Sequence, residues 1–362
     1  MVKHMTTWDG EAARGAQALQ IESGNGSRCV HARGVVLVGV HAWSSDVLEK
    51  VICRPLLPIA GRPLIFYVLD WLRRGGIREV HVCGNSDTKV LRRALGDGAR
   101  LGVSLEYWED LMPRGPAGCA RDATAGKPAD VFVLVEGTTI PQTDLSALLE
   151  GHLRSQAALT LVASKPRGSP GSHNGALAPS GIYVFSPRAL KTVPPTGYQD
   201  IKEGLIPNLY ARGERVLTHV AHVRSIPRVS GAGSYLAANM WVVEEMLRAG
   251  SLPEEFTALN GAWVHRSALV DETARLVGPV IVGPDCEIGA NAVIVGPTTM
   301  GAGCKVGRRA LVSRSVLWDG CQVGASAFLD HCVLTDRAAV EAETTARSTL
   351  CVPSGGGKVG PG

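Results

Sequence analysis

Residues 276–307 of this 362-residue chain read LVGPVIVGPDCEIGANAVIVGPTTMGAGCKVG, which is the strongest structural signal in the sequence. Every sixth position holds an aliphatic side chain, and a small or slim residue follows four positions after it. The aliphatic row is unbroken at Val264, Val270, Leu276, Val282, Ile288, Ile294, Met300, Val306 and Val312. A six-residue period predicts a parallel β-helix whose stacked coils bury this row. The phase slips by one residue near Trp318 and resumes at Val323 and Leu329.

Before the repeats, short β-branched runs alternate with amphipathic segments. Strands are predicted at residues 35–40, 79–83, 103–107, 131–135 and 159–163, and helices at 64–74, 145–155 and 234–247. This alternation predicts an α/β domain with a Rossmann-like, mostly parallel sheet sandwiched by helices. Such sheets bind ligands beyond the carboxyl ends of their strands, here the loops after Val40 and Val135. Residues 165–180, rich in Gly, Ser and Pro, are predicted to form a loop.

These signals divide the chain into a predicted flexible extension (1–32), an α/β domain (33–250), a β-helix (262–345) and a flexible tail (346–362). The formal net charge is only +4 and no Lys/Arg run stands out, which argues against a nucleic-acid partner. Apolar runs are strand-sized and no secretory signal is recognisable, so we expect a cytoplasmic protein that does not cross a membrane. The nine cysteines contain no C-x-x-C pair, so we expect buried, reduced thiols and no zinc.

Several motifs, in order, resemble those of the sugar-1-phosphate nucleotidyltransferases. PLLPIAGRPLIFYVL at residues 55–69 is similar to the loop and first helix of that family, and VLVEGTT at 133–139 resembles its strand ending in Asn-Gly-Asp. SGIYVFSP at 180–187 is similar to a later family strand. LVSRSVLWDGCQVGASA at 311–327 closely resembles the left-handed C-terminal β-helices of mannose-1-phosphate guanylyltransferases and their relatives. The resemblance implies nucleotide transfer from an NTP to a sugar 1-phosphate, with Mg²⁺ as the family's cofactor.

The same resemblance implies contacts to nucleotide and sugar phosphate. GPAG at residues 115–118 is similar to the family's base-contacting Gly-Thr-Ala-Gly, and Lys165 matches a lysine that contacts the sugar phosphate. The predicted contacts are Arg54, Gly115, Ala117, Gly118, Glu136, Lys165 and Gly181.

Four positions depart from the family pattern. Ser44 stands where the family has a phosphate-clamping Arg, in a loop that has also lost its glycines, and Arg54 replaces a Lys. Thr138 and Arg228 stand where two aspartates hold Mg²⁺. Neither side chain offers a carboxylate to a hard cation, so no metal or cofactor is predicted for this chain. Because metal and cationic clamps neutralise the charge that develops in phosphoryl transfer, their loss predicts impaired catalysis.

The replacements leave two interpretations open. Arg54 and Arg228 could form a metal-free anion site, or each could pair with a carboxylate such as Glu136. Glu136 or Asp144 could also hold a metal in a shifted geometry, although Asp144 is more typical of a helix cap.

Three functions follow as hypotheses. The first is a catalytically impaired subunit that regulates or scaffolds, senses an NTP or nucleotide-sugar, and joins an active paralogue or its own copies through the β-helix. The second is an active nucleotidyltransferase with a remodelled site. Separately, His41 in the changed loop could bind a metal or act as a base, although a lone His in such a loop more often does neither. The third is a β-helix acyltransferase. His265 and His331 lie on the β-helix, where some hexapeptide acyltransferases use a His, but the residue type is too common on surfaces to carry that claim.

Overall fold

The structure is a computed structural model. It describes residues 19–23, 26–39, 47–84, 87–110, 112, 114–164, 177–221, 227–250 and 252–353. The predictions for Val40, His41, Ser44 and Lys165 therefore lie outside the described residues.

The first domain is α/β, as predicted. Its strands are β1 (Leu19–Ser23), β2 (Gly26–Val30), β3 (Ala32–Leu37), β4 (Pro58–Ile59), β5 (Arg62–Pro63), β6 (Glu79–Gly84), β7 (Ser104–Glu109), β8 (Val131–Glu136), β9 (Leu159–Ser164), β10 (Ala178–Phe185) and β11 (Val216–Val220). Its helices are α1 (Val47–Val51), α2 (Leu64–Arg74), α3 (Asp87–Leu95), α4 (Gly115–Thr124), α5 (Leu145–Arg154), α6 (Pro187–Lys191), α7 (Ile206–Ala211) and α8 (Ala232–Ala249). Among the described residues, no helix is both long and apolar enough to cross a bilayer.

Seven of these strands form one sheet in the order β11-β9-β10-β8-β3-β6-β7. Only β10 runs antiparallel to its neighbours β8 and β9, so the sheet is mostly parallel. Strand β8 is buried on both faces: Val133 and Val135 join one apolar cluster, while Phe132 and Leu134 join another. Helices cover both faces, which explains why the strand sequence is continuously apolar.

Local sequence rules account for the helix that follows β8. Asp144 precedes α5, and its Oδ1 accepts hydrogen bonds from the backbone N–H groups of Ser146 (2.9 Å) and Ala147 (3.2 Å). This is the helix-cap role expected of Asp144, because the first N–H groups of a helix have no partner within it.

The second domain is a parallel β-helix of three sheets. Its strands are β12 (Phe256–Leu259), β13 (Ala262–His265), β14 (Leu269–Val270), β15 (Arg275–Val277), β16 (Val280–Val282), β17 (Glu287–Ile288), β18 (Val293–Val295), β19 (Thr298–Met300), β20 (Lys305–Val306), β21 (Leu311–Ser313), β22 (Val316–Leu317), β23 (Gln322–Val323), β24 (Phe328–Asp330), β25 (Val333–Leu334), β26 (Ala339–Val340), β27 (Thr345–Arg347) and β28 (Leu350–Cys351). The predicted aliphatic row faces a continuous core.

The one-residue slip in the repeat has a structural cause. Val282 pairs with Met300, eighteen residues on, but Met300 pairs with Leu317, seventeen residues on. The register loses its residue between β21 and β22, where Arg314 alone (φ 46°) occupies the corner that Gly296-Pro297 fills in the preceding coil. One left-handed residue therefore replaces a Gly-Pro pair at this corner.

The structure differs from the predicted boundaries at both ends. Strands β1 and β2 pair as an antiparallel hairpin within the segment expected to be flexible, and β3 begins at Ala32. In the sequence, Gly24-Asn25 is a dipeptide typical of hairpin connections, but the polar composition of residues 1–32 led to the prediction of a flexible segment. Strands β27 and β28 extend the β-helix into the predicted tail, because Ala346 and Cys351 continue the stacking row. Strand β10 also begins inside the predicted loop, at Ala178.

Most cysteines fill small core positions, as predicted. Six are buried, namely Cys83, Cys119, Cys286, Cys304, Cys321 and Cys332. Cys53 and Cys351 are partly buried, and only Cys29 is exposed, so the expectation of burial was wrong for Cys29. No cysteine is in a disulfide bond.

A shared apolar cluster joins the two domains. Tyr235 of α8 and Trp318 of the β-helix meet edge to face, with ring centroids 6.3 Å apart. Trp318 Nε1 donates a hydrogen bond to Tyr235 Oη (2.8 Å), which donates in turn to the carbonyl of Pro58 (2.6 Å). Nearby, the amide oxygen of buried Asn239 accepts a hydrogen bond from the backbone of Ala60 (2.9 Å). Helix α8 is therefore bonded both to the β-helix and to the β4–β5 hairpin.

Candidate functional site

The carboxyl end of β8 meets a segment that is about ninety residues away along the chain. Thr139 and Arg228 form an antiparallel bridge, and Val229 donates its backbone N–H to the carbonyl of Thr138 (2.8 Å). Ile140 donates likewise to Pro227 (2.9 Å). The two positions that the resemblance assigns to metal-binding aspartates, Thr138 and Arg228, are thus brought side by side.

Arg228 forms an ion pair with Glu136, the last residue of β8. The Glu136 side chain is 11% exposed and that of Arg228 is 31% exposed, so the carboxylate is the more deeply placed partner. Glu136 Oε2 is the carboxylate oxygen that meets the guanidinium of Arg228. Arg228 therefore has the carboxylate neighbour that the sequence analysis named as one alternative for it.

Gly181 makes room for this carboxylate. A Cβ atom at Gly181, whose φ is 80°, would lie 2.9 Å from Cδ of Glu136. Any larger residue would displace the ion pair and would also strain the backbone. The sequence prediction placed both Glu136 and Gly181 at the site, and the structure brings them into contact.

The hydroxyl of Tyr183 is close enough to Glu136, Arg228 and Asp200 to be affected by their charges, and the sequence prediction missed both Tyr183 and Asp200. Burial raises the pKa of the Tyr183 hydroxyl, the negative charges of Glu136 and Asp200 add to this effect, and Arg228 opposes it. Asp200 also caps the turn that follows it, accepting hydrogen bonds from Lys202 N (2.6 Å) and Glu203 N (2.8 Å). The motif SGIYVFSP contains Tyr183, but nothing local in the sequence points to Asp200.

The predicted base-contacting segment is packed inside the domain. Gly115, Ala117 and Gly118 form the first turn of α4 and are buried. Ala117 donates its backbone N–H to the carbonyl of Gln199 (3.0 Å), so the loop before Asp200 sits on this turn. Arg114 fixes that loop through the carbonyls of residues 197 (2.5 Å) and 194 (2.9 Å).

Arg54 begins a 3₁₀ turn, Arg54–Leu56, that leads directly into the β4–β5 hairpin. Its side chain is partly buried.

The two β-helix histidines have structural surroundings. His265 Nδ1 lies 2.9 Å from Ser267 Oγ, and its ring meets Phe256 edge on at 5.3 Å. His331 occupies the tight corner equivalent to Arg314 in the next coil, with φ 54°, and its Nδ1 lies 3.1 Å from Asp330 Oδ2.

The donor set at the end of β8 does not fit Mg²⁺. A divalent cation of this kind takes several oxygen ligands, usually carboxylates. Here Thr138 offers a hydroxyl, Arg228 is itself a cation, and the nearby carboxylate of Glu136 already has Arg228 as its counter-ion. In the described part of the chain, no three His, Cys, Asp or Glu side chains are grouped so that they could hold a metal ion.

Two family models match the chain. One, described as nucleotidyl transferase, matches residues 47–175, and one described as the GMPPB C-terminal domain matches residues 259–355. These are the α/β domain and the β-helix respectively.

Curated relatives agree with the models. A mannose-1-phosphate guanylyltransferase of Mycobacterium tuberculosis is 25% identical over 293 residues, which is 70% of this chain and 76% of the relative. A glucose-1-phosphate thymidylyltransferase of Streptomyces antibioticus is 23% identical over 283 residues, covering 71% of this chain and 79% of the relative. A glucose-1-phosphate thymidylyltransferase of Mycolicibacterium smegmatis is 36% identical over a shorter match of 86 residues, 24% of this chain and 30% of the relative. The paired domains, the order of their motifs and these relatives show that this chain belongs to the sugar-1-phosphate nucleotidyltransferase family.

Proposed function

We propose that this chain is a catalytically impaired member of the family. It serves as a regulatory or scaffolding subunit that senses an NTP or nucleotide-sugar, and it assembles with an active paralogue or its own copies through the β-helix. The observation that carries the proposal is the Arg228–Glu136 ion pair. It puts a guanidinium where the resemblance places a metal ligand.

The charge balance at this point supports loss of the transfer step. In the family reaction the sugar phosphate attacks the α-phosphorus of the NTP and pyrophosphate leaves, so negative charge must be neutralised as the bonds change. A bridging divalent cation does this from between the phosphates. Arg228 contributes one positive charge, but Glu136 cancels most of it, and Thr138 contributes none. Catalysis that depends on a cation held here should therefore be severely reduced.

Ligand sensing remains compatible with the same residues. The Arg228 side chain is 31% exposed, so an incoming phosphate can reach the guanidinium and replace Glu136 as its counter-ion while the backbone around residue 228 stays folded. Guanidinium groups bind phosphate through paired hydrogen bonds and need no metal. Binding by this route would not depend on Mg²⁺.

Pyrophosphate release tests the loss of activity. GTP and dTTP, with mannose 1-phosphate and glucose 1-phosphate respectively, match the reactions named for the relatives. With Mg²⁺ present, we expect no release above the protein-free rate, and steady turnover would establish the active-enzyme alternative. Thermal unfolding with the same nucleotides and their GDP- and dTDP-sugars tests sensing, because a ligand that binds the native state raises Tm. We expect the rise to be equal in Mg²⁺ and in EDTA.

A restored site provides the matched comparison. The double variant Thr138→Asp/Arg228→Asp places two carboxylates at the adjoining positions, next to Glu136. We expect this variant, and not the wild type, to be stabilised by Mg²⁺ alone. Arg212→Asp, an exposed Arg-to-Asp change just after the end of α7, should show no such gain. Equal Mg²⁺ stabilisation of all three proteins would contradict the assignment of positions 138 and 228.

A further inference from the structure

The loop before Asp200 presents a large aromatic side chain to solvent. Tyr198 is 59% exposed, whereas Tyr183 is buried. The loop lies against the first turn of α4, since a Cβ atom at Gly115 would be 2.6 Å from the carbonyl oxygen of Gln199. Exposure of a single apolar ring would not by itself point to a ligand. The attachment of the loop and the charges beside it determine what this ring can bind.

Arg114 holds the backbone of this loop on both sides of Tyr198. Its guanidinium donates hydrogen bonds to the carbonyls of residues 197 (2.5 Å) and 194 (2.9 Å), and its own carbonyl accepts one from Gln199 N (2.7 Å). The Arg114 side chain is 12% exposed, and its Nε donates to Asp122 (2.8 Å). The backbone at Tyr198 is therefore fixed before a ligand arrives, and a fixed contact surface loses little conformational entropy on binding.

The same loop leads to the ion pair at the end of β8. Asp200 follows Tyr198 by two residues, a separation of about 7 Å at most. Burial raises the pKa of the Tyr183 hydroxyl, the charges of Glu136 and Asp200 raise it further, and Arg228 lowers it. Asp200 and the Arg228–Glu136 pair therefore act on one hydroxyl group. Tyr198 accordingly lies at the same end of the sheet as the guanidinium of Arg228.

A second exposed apolar side chain belongs to the turn that precedes α4. Met112 is 74% exposed, and the turn that contains it is closed by a hydrogen bond from Arg114 N to Asp110 Oδ2 (3.0 Å). Arg114 is thus bonded both to the segment of Met112 and to that of Tyr198. Methionine thioethers pack favourably against the edges of aromatic rings. Two exposed apolar side chains on segments anchored to one arginine suit a flat aromatic group better than a hydrated sugar.

A nucleotide combines the two groups that these elements can bind. Guanidinium groups bind phosphate through paired hydrogen bonds, and the π-face of any base stacks on an aromatic side chain. We propose that Tyr198 is the stacking surface for the base of a nucleotide whose phosphates are bound by Arg228. This role rests on the sensing function proposed above and deepens it, because it makes the base a recognised part of the ligand. A sugar phosphate alone would lack that part.

Nucleotide binding to the full chain, measured by isothermal titration calorimetry in EDTA, tests this role. GTP and dTTP are the probes, and inorganic triphosphate is the base-free control. We expect Tyr198→Ala to weaken nucleotide binding by about fivefold to a hundredfold, which is the usual cost of removing one base–aromatic stack. Tyr198→Phe keeps the ring and should bind nearly as tightly as the wild type. Tyr210→Ala removes a similarly exposed ring (61%) on α7 and should leave binding unchanged.

Proton NMR of GTP reports the stacking contact directly. A base proton above an aromatic ring is shielded, so the H8 resonance of GTP should move upfield on addition of the wild type or of Tyr198→Phe. With Tyr198→Ala this upfield shift should be lost.

Unchanged GTP affinity in Tyr198→Ala would overturn the assignment of Tyr198 and leave the sensing function intact. An equal loss of affinity for inorganic triphosphate would also overturn it, since Tyr198 would then support the loop and not the base. If the wild type binds neither nucleotide, the sensing function itself fails and the assignment fails with it. Pyrophosphate release is measured separately, so the proposed loss of activity is judged independently of these results.

Discussion

Replacing Arg228 with Met tests the energetic role of the ion pair at the end of β8. Met keeps part of the aliphatic stem but leaves Glu136, whose side chain is 11% exposed, without its cation. Removing one partner of a fully buried pair costs about 3–5 kcal/mol. Because Arg228 is 31% exposed, water screens part of this, and we expect a loss of about 1–3 kcal/mol in the free energy of unfolding. For a domain of this size that lowers Tm by about 2–10 °C.

A double-mutant cycle with Glu136→Gln separates the pair from its surroundings. Scanning calorimetry of Arg228→Met, Glu136→Gln and the double variant gives three shifts, and we expect a coupling of about 1–2 kcal/mol. The control is Arg248→Met, which removes an exposed pair with Glu245 and should cost about 0.5 kcal/mol or less. If the losses in unfolding free energy of the two single variants simply add, or if Arg228→Met has the same Tm as the wild type, the Arg228–Glu136 pair does not stabilise the end of β8 and the reasoning is wrong.

Three further predictions concern stability. Burial lowers the pKa of His152 from 6.5 to about 4, so between these pH values the imidazole is protonated in the unfolded chain but neutral in the native protein. The free energy of unfolding should therefore fall by about 3 kcal/mol as the pH decreases from 6.5 to 4, and that of His152→Gln should fall by less over the same range. Gly324→Ala would place a Cβ 2.3 Å from a backbone nitrogen of the next coil and should unfold the β-helix at a much lower temperature, whereas Gly204→Ala, with no atom within 4 Å, should be tolerated. Trp318→Phe removes the hydrogen bond to Tyr235 and should cost about 1–2 kcal/mol; an unchanged melting temperature would mean that this bond does not stabilise the domain junction.

The β-helix could be predicted from the sequence almost residue by residue, because each coil repeats the same burial pattern at a fixed spacing. The slip near Trp318 was also visible, but its cause was not. The cause is that Arg314 alone stands where the preceding coil has Gly296-Pro297. This can be recognised only from the pairing of residues between neighbouring coils, which the structure provides. The parallel strands were predictable for a related reason, since strands such as β8 are buried on both faces and read as continuous apolar runs.

The candidate site was less predictable because its contacts join distant parts of the chain. The sequence showed that Thr138 and Arg228 depart from the family pattern, but it left open whether Arg228 faces a ligand or a carboxylate. Its pairing with Glu136 follows from an antiparallel bridge between residues 139 and 228, which no local pattern encodes. Asp200 was missed for the same reason, since its charge reaches Tyr183 from a separate loop.

The β-helix also sets a fixed distance within the molecule. Six rungs of one sheet, from β13 to β28, are stacked in register. At about 4.8 Å per step, the last rung lies about 24 Å from the first. Helix α8 is bonded to this stack through Trp318, which follows the fourth rung, β22, so the last rung lies about 10 Å beyond the attachment. If the stack is taken as a rigid lever, a rotation of α8 by about 10° would move the last rung by about 2 Å. A small rotation of α8 would then be transmitted to the far end of the β-helix as a displacement of about the length of a covalent bond.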